Sequence, residues 1–143
     1  MPMLDSYLFF NGNCAEAMDF YQKTIGGQMI SMLKYGETPD SAQCSGVVAK
    51  DRIAHAHLLV DGRNLMAGDC PPDRPVPAPA GFSLSLTYPS AGEARKVFDA
   101  LAAGGQVTMP MNKTFWIESW GMLTDRFGVA WMVSGGEAAM RPA

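Results

Sequence analysis

Apolar positions change their period along the chain, and the changes mark out elements. Residues 7–10, Tyr-Leu-Phe-Phe, form a short aromatic and apolar run that reads as a strand. After Asn-Gly-Asn, the residues Ala17, Phe20, Tyr21 and Ile25 recur at helical spacing. Asn13 stands where an N-cap belongs, and Glu16 three residues on completes a capping-box pattern. Gly26 and Gly27 end the helix, because glycine accepts the positive φ of a helix C-terminus. Residues 28–35 then return to an extended pattern. From residue 82, Phe-Ser-Leu-Ser-Leu alternates as a strand does. Ser90 can cap a second helix, with Glu93 three residues on. Its apolar stripe is Ala94, Val97, Phe98 and Leu101, and Gly104 and Gly105 close it.

These two stretches are copies. Gly-Gly-Gln at 26–28 recurs at 104–106, an offset of 78, and the same offset sets Phe20 on Phe98. The following halves match as well. Residues 52–69 hold two extended runs about Asp61-Gly62, a hairpin signal, and residues 119–134 hold two runs about Asp-Arg-Phe-Gly. Setting Gly62 on Gly128 places Leu65 on Trp131 and Met66 on Met132. Each half therefore reads strand, helix, strand, strand, strand. The expected fold is α+β, with two βαβββ modules forming a curved mixed sheet in a single domain, 1–143. Module 1 spans about 4–70 and module 2 about 81–134. A Pro-rich linker at 71–80 cannot join a ladder. Residues 135–143 read as a frayed tail. The polar loop at 36–46 is either a flap over a pocket or a surface loop.

Charge and cysteine content narrow the function classes. The formal charge is −3 and the basic residues are scattered, so no footprint for nucleic acid exists. No apolar run approaches a membrane span, and the first residues lack a signal-peptide pattern. Three cysteines without C-x-x-C spacing favour a reducing, cytoplasmic setting over a disulfide framework. Cys14, in the first turn of a helix, reads as a reactive thiol or as a small core residue. The chain has neither a phosphate-binding G-x-x-x-x-G-K-[ST] loop nor a G-x-S-x-G elbow. It also lacks the glycine-rich loop a methyltransferase needs. No cofactor is expected.

The candidate chemistry is sparse. His55 and His57 are the only histidines, and their spacing puts both on one strand face. Ala54, Ala56, Leu58 and Val60 fall on the other, suited to lie under a helix. The imidazoles could contact a ligand, serve as general acid and base, or be structural. With Asp69 or Glu118 they could hold a metal. Trp116, Glu118, Trp120 and Met122 share a face by period two, while Trp131, opposite Met132, reads as core. Tyr7, Phe9 and Met66 could complete an apolar wall. Asp69 and Asp125 could instead cap turns.

The segments YLFFNGNCAEAMDFYQKTIGG, IAHAHLLV, LMAGD and FWIESWGMLTDRFGVAWMVS carry a resemblance over residues 4–134. They are similar to the vicinal-oxygen-chelate superfamily, the glyoxalase and bleomycin-resistance fold, and within it to the PhnB-like branch, also labelled 3-demethylubiquinone-9 3-methyltransferase-like. That resemblance implies paired modules enclosing a cleft. It also implies, for metal-using members, His and Glu ligands on the first and last strands of each module. Those positions fall near Ser6 or Tyr7, on Met66, on Phe82 and on Met132. None is His, Glu or Asp, and a thioether suits a hard divalent ion poorly. The usual metal site is therefore expected to be absent. The reading is a homodimer that binds a small molecule in a mostly apolar cleft lined by Tyr7, Phe9, His55, His57, Met66, Asp69, Trp116, Glu118 and Trp120. Two alternatives stay open: a metal-dependent lyase or dioxygenase with a displaced site at His55 and His57, and an antibiotic-binding resistance protein.

Overall fold

A computed structural model describes residues 2–38 and 50–138. The chain divides into two units, Met1–Pro77 and Ala78–Ala143. The first holds β1 (Ser6–Phe10), α1 (Cys14–Ile25), β2 (Gln28–Lys34), β3 (Ile53–Val60) and β4 (Arg63–Asp69). The second holds β5 (Leu84–Tyr88), α2 (Ala91–Ala102), β6 (Gln106–Asn112), β7 (Ile117–Thr124) and β8 (Ala130–Ala138). Each unit has its own four-stranded mixed sheet, ordered β1-β4-β3-β2 and β5-β8-β7-β6. The first strand of each runs parallel to the last, and the other pairs are antiparallel. This is the α+β arrangement of two βαβββ modules that the repeat predicts. The repeat offsets also hold in register: Met66 pairs with Tyr7 as Met132 pairs with Ser85.

Local signals explain most of the elements. Asp61 and Gly62 both take positive φ, 45° and 78°, as a two-residue hairpin turn of the primed type requires. Gly26 takes φ 93° at the end of α1. In the first unit Leu8, Phe10, Ala56, Leu58, Leu65 and Ala67 are buried on the face that α1 covers with Ala17, Met18 and Tyr21. Side chains such as Leu58 contribute about 2 kcal/mol each by leaving water. In the second unit, Ala94, Phe98 and Leu101 of α2 are buried, as are Leu123, Trp131 and Val133 of the sheet.

The two helices start differently. The Ser90 side chain accepts from the Glu93 N–H at 3.2 Å, as its sequence pattern predicts. Asn13 does not do this: its side chain makes no capping bond. Asp69, at the end of β4, takes its place. Asp69 Oδ1 accepts from the backbone N–H groups of Gly12 (2.9 Å) and Cys14 (3.0 Å), and Oδ2 from that of Ile53 (2.9 Å). A carboxylate near the positive end of a helix also suits its dipole.

Two boundaries differ from the sequence reading. β8 continues to Ala138, so the tail does not begin at residue 135. Gly135 and Gly136, the first two residues of the expected tail, both sit inside the strand. At Gly135 a Cβ would lie 2.4 Å from the Ser90 carbonyl oxygen. Phe115 and Trp116 precede β7 instead of opening it. Residues 71–80 carry no helix or strand. Asn11 ties this segment down: its amide donates to the Val76 carbonyl at 2.9 Å, and its oxygen accepts from the Val76 N–H at 2.9 Å and the Cys70 thiol at 2.8 Å. Cys44 and residues 39–46 of the expected flap lie outside the described residues.

Candidate functional site

Strand pleating sends alternate residues of the first sheet away from α1. On that open face Tyr7 pairs with Met66, Met66 with His57, and His57 with Ser31, making one row across the four strands. A second row runs beside it, with Phe9 against Gly68 and His55 against Leu33. Tyr7, Met66, His55, His57 and Phe9 are thus brought together. Phe9 is 57% exposed and Tyr7 39%, so this aromatic surface meets solvent.

The rings form a strip. Tyr7 and Phe9 have centroids 5.1 Å apart, Tyr7 and His55 5.7 Å, and His55 and His57 6.4 Å. The Tyr7 hydroxyl lies 3.2 Å from His55 Nδ1. Gly68 makes this possible: a Cβ there would stand 3.1 Å from the Tyr7 hydroxyl. Burial, and after it the Cys14 thiol, raises the Tyr7 pKa, which keeps the phenol protonated and able to donate. His57 Nε2 lies 2.7 Å from Asn64 Oδ1, and the Asn64 amide donates to Asp5 at 3.0 Å. Sequence reasoning passed over Asp5, Asn64 and Gly68. Period two would have reached the first two, since Asp5 precedes Tyr7 by two and Asn64 precedes Met66 by two.

Asp69 does not join this face. It is 2% exposed, its carboxylate holds the three backbone N–H groups named above, and its carbonyl accepts from the Tyr35 hydroxyl at 2.8 Å. The turn-capping reading describes it, and ligand contact does not. Cys14 is fully buried beside it. Burial, and then the Asp69 charge, pushes the thiol up to about 12 from an ordinary value of 9.0. The neutral thiol is favoured, which removes the reactive reading. Above about pH 9 the unfolded chain releases a proton that the folded chain keeps until about pH 12. Stability is therefore complete below pH 9 and falls as pH rises, by up to about 1.4 kcal/mol per pH unit. Urea unfolding at pH 8 and pH 10 measures this, and Cys14→Ala is expected to flatten the slope.

In the second unit, Trp120 pairs with Ser134, and Met122 with Met132. Trp116 lies in the bend before β7, so it does not share the strand's alternation. It still meets Trp120 edge to face at 5.6 Å and Phe115 at 4.9 Å. Glu118 is exposed, and its carboxylate lies over Gly136, where a Cβ would be 2.7 Å from Oε2. Trp131 is core: it is 2% exposed and its indole N–H donates to Asp125 at 2.9 Å. Asp125 also accepts from the N–H groups of Phe127 and Val129, closing the β7–β8 turn.

A divalent ion of the kind the resemblance implies for metal-using members would need oxygen or imidazole donors on the first and last strands of each module. Tyr7 and Met66 occupy the paired positions in the first unit, Ser85 and Met132 in the second. Phe82, expected to be one of these positions, precedes β5, and Ser85 stands in the register it was assigned. Among the described residues, no three His, Cys, Asp or Glu side chains group to hold an ion. The donor set does not fit a hard divalent cation.

Relatives agree with this architecture. A family model described as Glyoxalase/Bleomycin resistance protein/Dioxygenase superfamily matches residues 3–133. Protein YjdN of Escherichia coli (strain K12) is 39% identical over 141 residues, covering 94% of this chain and 95% of the relative. Among solved structures, protein PA1353 from Pseudomonas aeruginosa is 45% identical with a TM-score of 0.87, covering 95% of this chain and 98% of that one. A PhnB protein from Bacillus cereus, labelled 3-demethylubiquinone-9 3-methyltransferase, is 26% identical with a TM-score of 0.73, covering 94% and 100%. The repeat, the two sheets and these matches together place the chain in the glyoxalase/bleomycin resistance/dioxygenase superfamily, on the side of its PhnB-like members.

Proposed function

We propose that the open face of the first sheet binds a small aromatic or amphipathic molecule, and does so without the metal site usual in the superfamily. The observation that carries this reading is the exposed strip of Phe9, Tyr7 and His55, in which the Tyr7 hydroxyl is joined to an imidazole. Aromatic faces supply area, and a few polar atoms at fixed positions set orientation. Met66 extends the apolar floor between Tyr7 and His57. Trp116 and Trp120, with Glu118, offer a second aromatic surface with a carboxylate nearby. Imidazole side chains can act as general acid or base, so a metal-independent reaction on the bound molecule is within the chemistry of the face.

A thermal-shift screen of planar aromatic compounds tests binding, since a ligand of the folded state raises apparent stability by mass action. His55→Ala is expected to weaken any ligand found by about tenfold or more, the loss of a polar contact and part of the ring strip. Unchanged affinity in His55→Ala and Tyr7→Phe would remove the site from this face. Stoichiometric Zn, Ni, Mn or Fe in protein purified without a histidine tag, lost on His55→Ala, would sink the metal-free reading.

A further inference from the structure

The contacts of His57 determine which of its nitrogens carries a proton. Asp5 presents a carboxylate, which only accepts hydrogen bonds. Asn64 Nδ2 donates to it at 3.0 Å. The reversed amide would set oxygen against oxygen there, so chemistry settles the orientation of Asn64. Its oxygen then faces His57 Nε2 at 2.7 Å and can only accept. Nε2 must carry the hydrogen, and in the neutral ring Nδ1 is the bare nitrogen. Among the described residues no hydrogen bond reaches His57 Nδ1. His55 differs, because its Nδ1 is engaged by Tyr7.

We propose that Asp5 and Asn64 are positioning residues that hold His57 as the Nε2–H tautomer, so that Nδ1 is the proton-accepting atom of the open face. The ligand class this selects is an aromatic molecule bearing a hydrogen-bond donor, a phenol or enol, in preference to the corresponding ether. This rests on the reading of that face as the ligand site.

The test begins with unliganded protein. Two-bond ¹H–¹⁵N correlation spectra, recorded where the imidazole is neutral, report the tautomer of each histidine. His57 is expected to favour Nε2–H by roughly fivefold or more, the worth of one ordinary hydrogen bond. Asn64→Ala removes the constraint, and Asp5→Asn lets the Asn64 amide reverse. Both are expected to erode the preference at least about threefold. The double variant Asp5→Asn with Asn64→Asp, in which the amide at 5 donates to the carboxylate at 64 and that carboxylate still accepts from Nε2–H, is expected to retain it. Amide spectra establish that each variant is folded, and Asp5→Asn changes an exposed position if Asn64→Ala does not fold. A wild-type His57 in the Nδ1–H form, an unbiased mixture, or a tautomer unmoved in Asn64→Ala or Asp5→Asn overturns the proposal.

Phenol and anisole then serve as probes. Phenol is expected to bind about tenfold more tightly and to shift His57 Nδ1. Equal binding overturns the ligand class. The expected tautomer with neither probe bound overturns the ligand-site reading and the ligand class with it. Phenol bound on an Nδ1–H His57 overturns the positioning role and leaves the site.

Discussion

Asp69→Ala is expected to lower folding stability by about 3–5 kcal/mol, the sum of several unmet backbone donors in a buried place. Three backbone N–H groups converge on this one carboxylate, from Gly12, Cys14 and Ile53. Two belong to the chain entering α1 and the third to the start of β3, so one side chain ties the helix to two strands. Alanine leaves the donors with no acceptor, and the 2% exposure of Asp69 keeps water from substituting freely. Asp69→Asn should fall between, because its amide keeps one acceptor oxygen but turns an N–H₂ toward a donor. Urea unfolding near neutral pH is the measurement. A loss below about 1 kcal/mol in Asp69→Ala would mean that Asn13 or water caps α1 adequately.

The corresponding place in the second unit is occupied by Gly135, and Gly135→Ala is expected to cost about 3 kcal/mol by overpacking. Asp69 pairs with Phe10 at the end of β1, as Gly135 pairs with Tyr88 at the end of β5. A Cβ on Gly135 would lie 2.4 Å from the Ser90 carbonyl oxygen and 2.6 Å from Ala94 Cβ. The first of these is backbone and the second a buried helix residue, so neither can turn aside. α2 would have to lift from β8. Gly92→Ala provides the control in the same helix: a Cβ there meets nothing within 4 Å. It should be neutral or stabilising by up to about 1 kcal/mol, from helix propensity. Comparable melting of the two variants would show that α2 does not rest on β8 as closely as described.

These two positions show how the modules solve one problem in different ways. The helix that has its own cap, from Ser90, comes down directly on a glycine. The helix without one is capped from the neighbouring strand by aspartate. The sequence repeat aligns the two positions but does not display the exchange, because an acceptor and an absence of side chain share no local signature.

The open face was legible in part. Strict alternation along β3 put His55 and His57 together and away from the helix, and Tyr7, Phe9 and Met66 followed by the same rule. Asp5 and Asn64 obey that rule too, but their value lies in contacts across strands. Asp69 was misplaced because it shares β4 with Met66 yet has the other parity. Trp116 was misplaced because the strand starts one residue after it, so the alternation does not extend to it.

The element order, the hairpin at Asp61-Gly62, the cap at Ser90 and the histidine face are determined by the sequence alone. Each depends on residues within a few positions of one another, such as the three that separate Ser90 from Glu93. The cap of α1, the Tyr7–His55 contact and the run from Asp5 through Asn64 to His57 were decided only in the tertiary structure. Asp69 stands 55 residues from the Cys14 N–H it holds, and Tyr7 48 residues from His55. Contacts at that separation exist only once the register of β1 on β4 and of β4 on β3 is set. That register is chosen by burying Leu8, Leu58, Leu65 and Ala67 together, since a slip of one residue would turn every one of them to the open face.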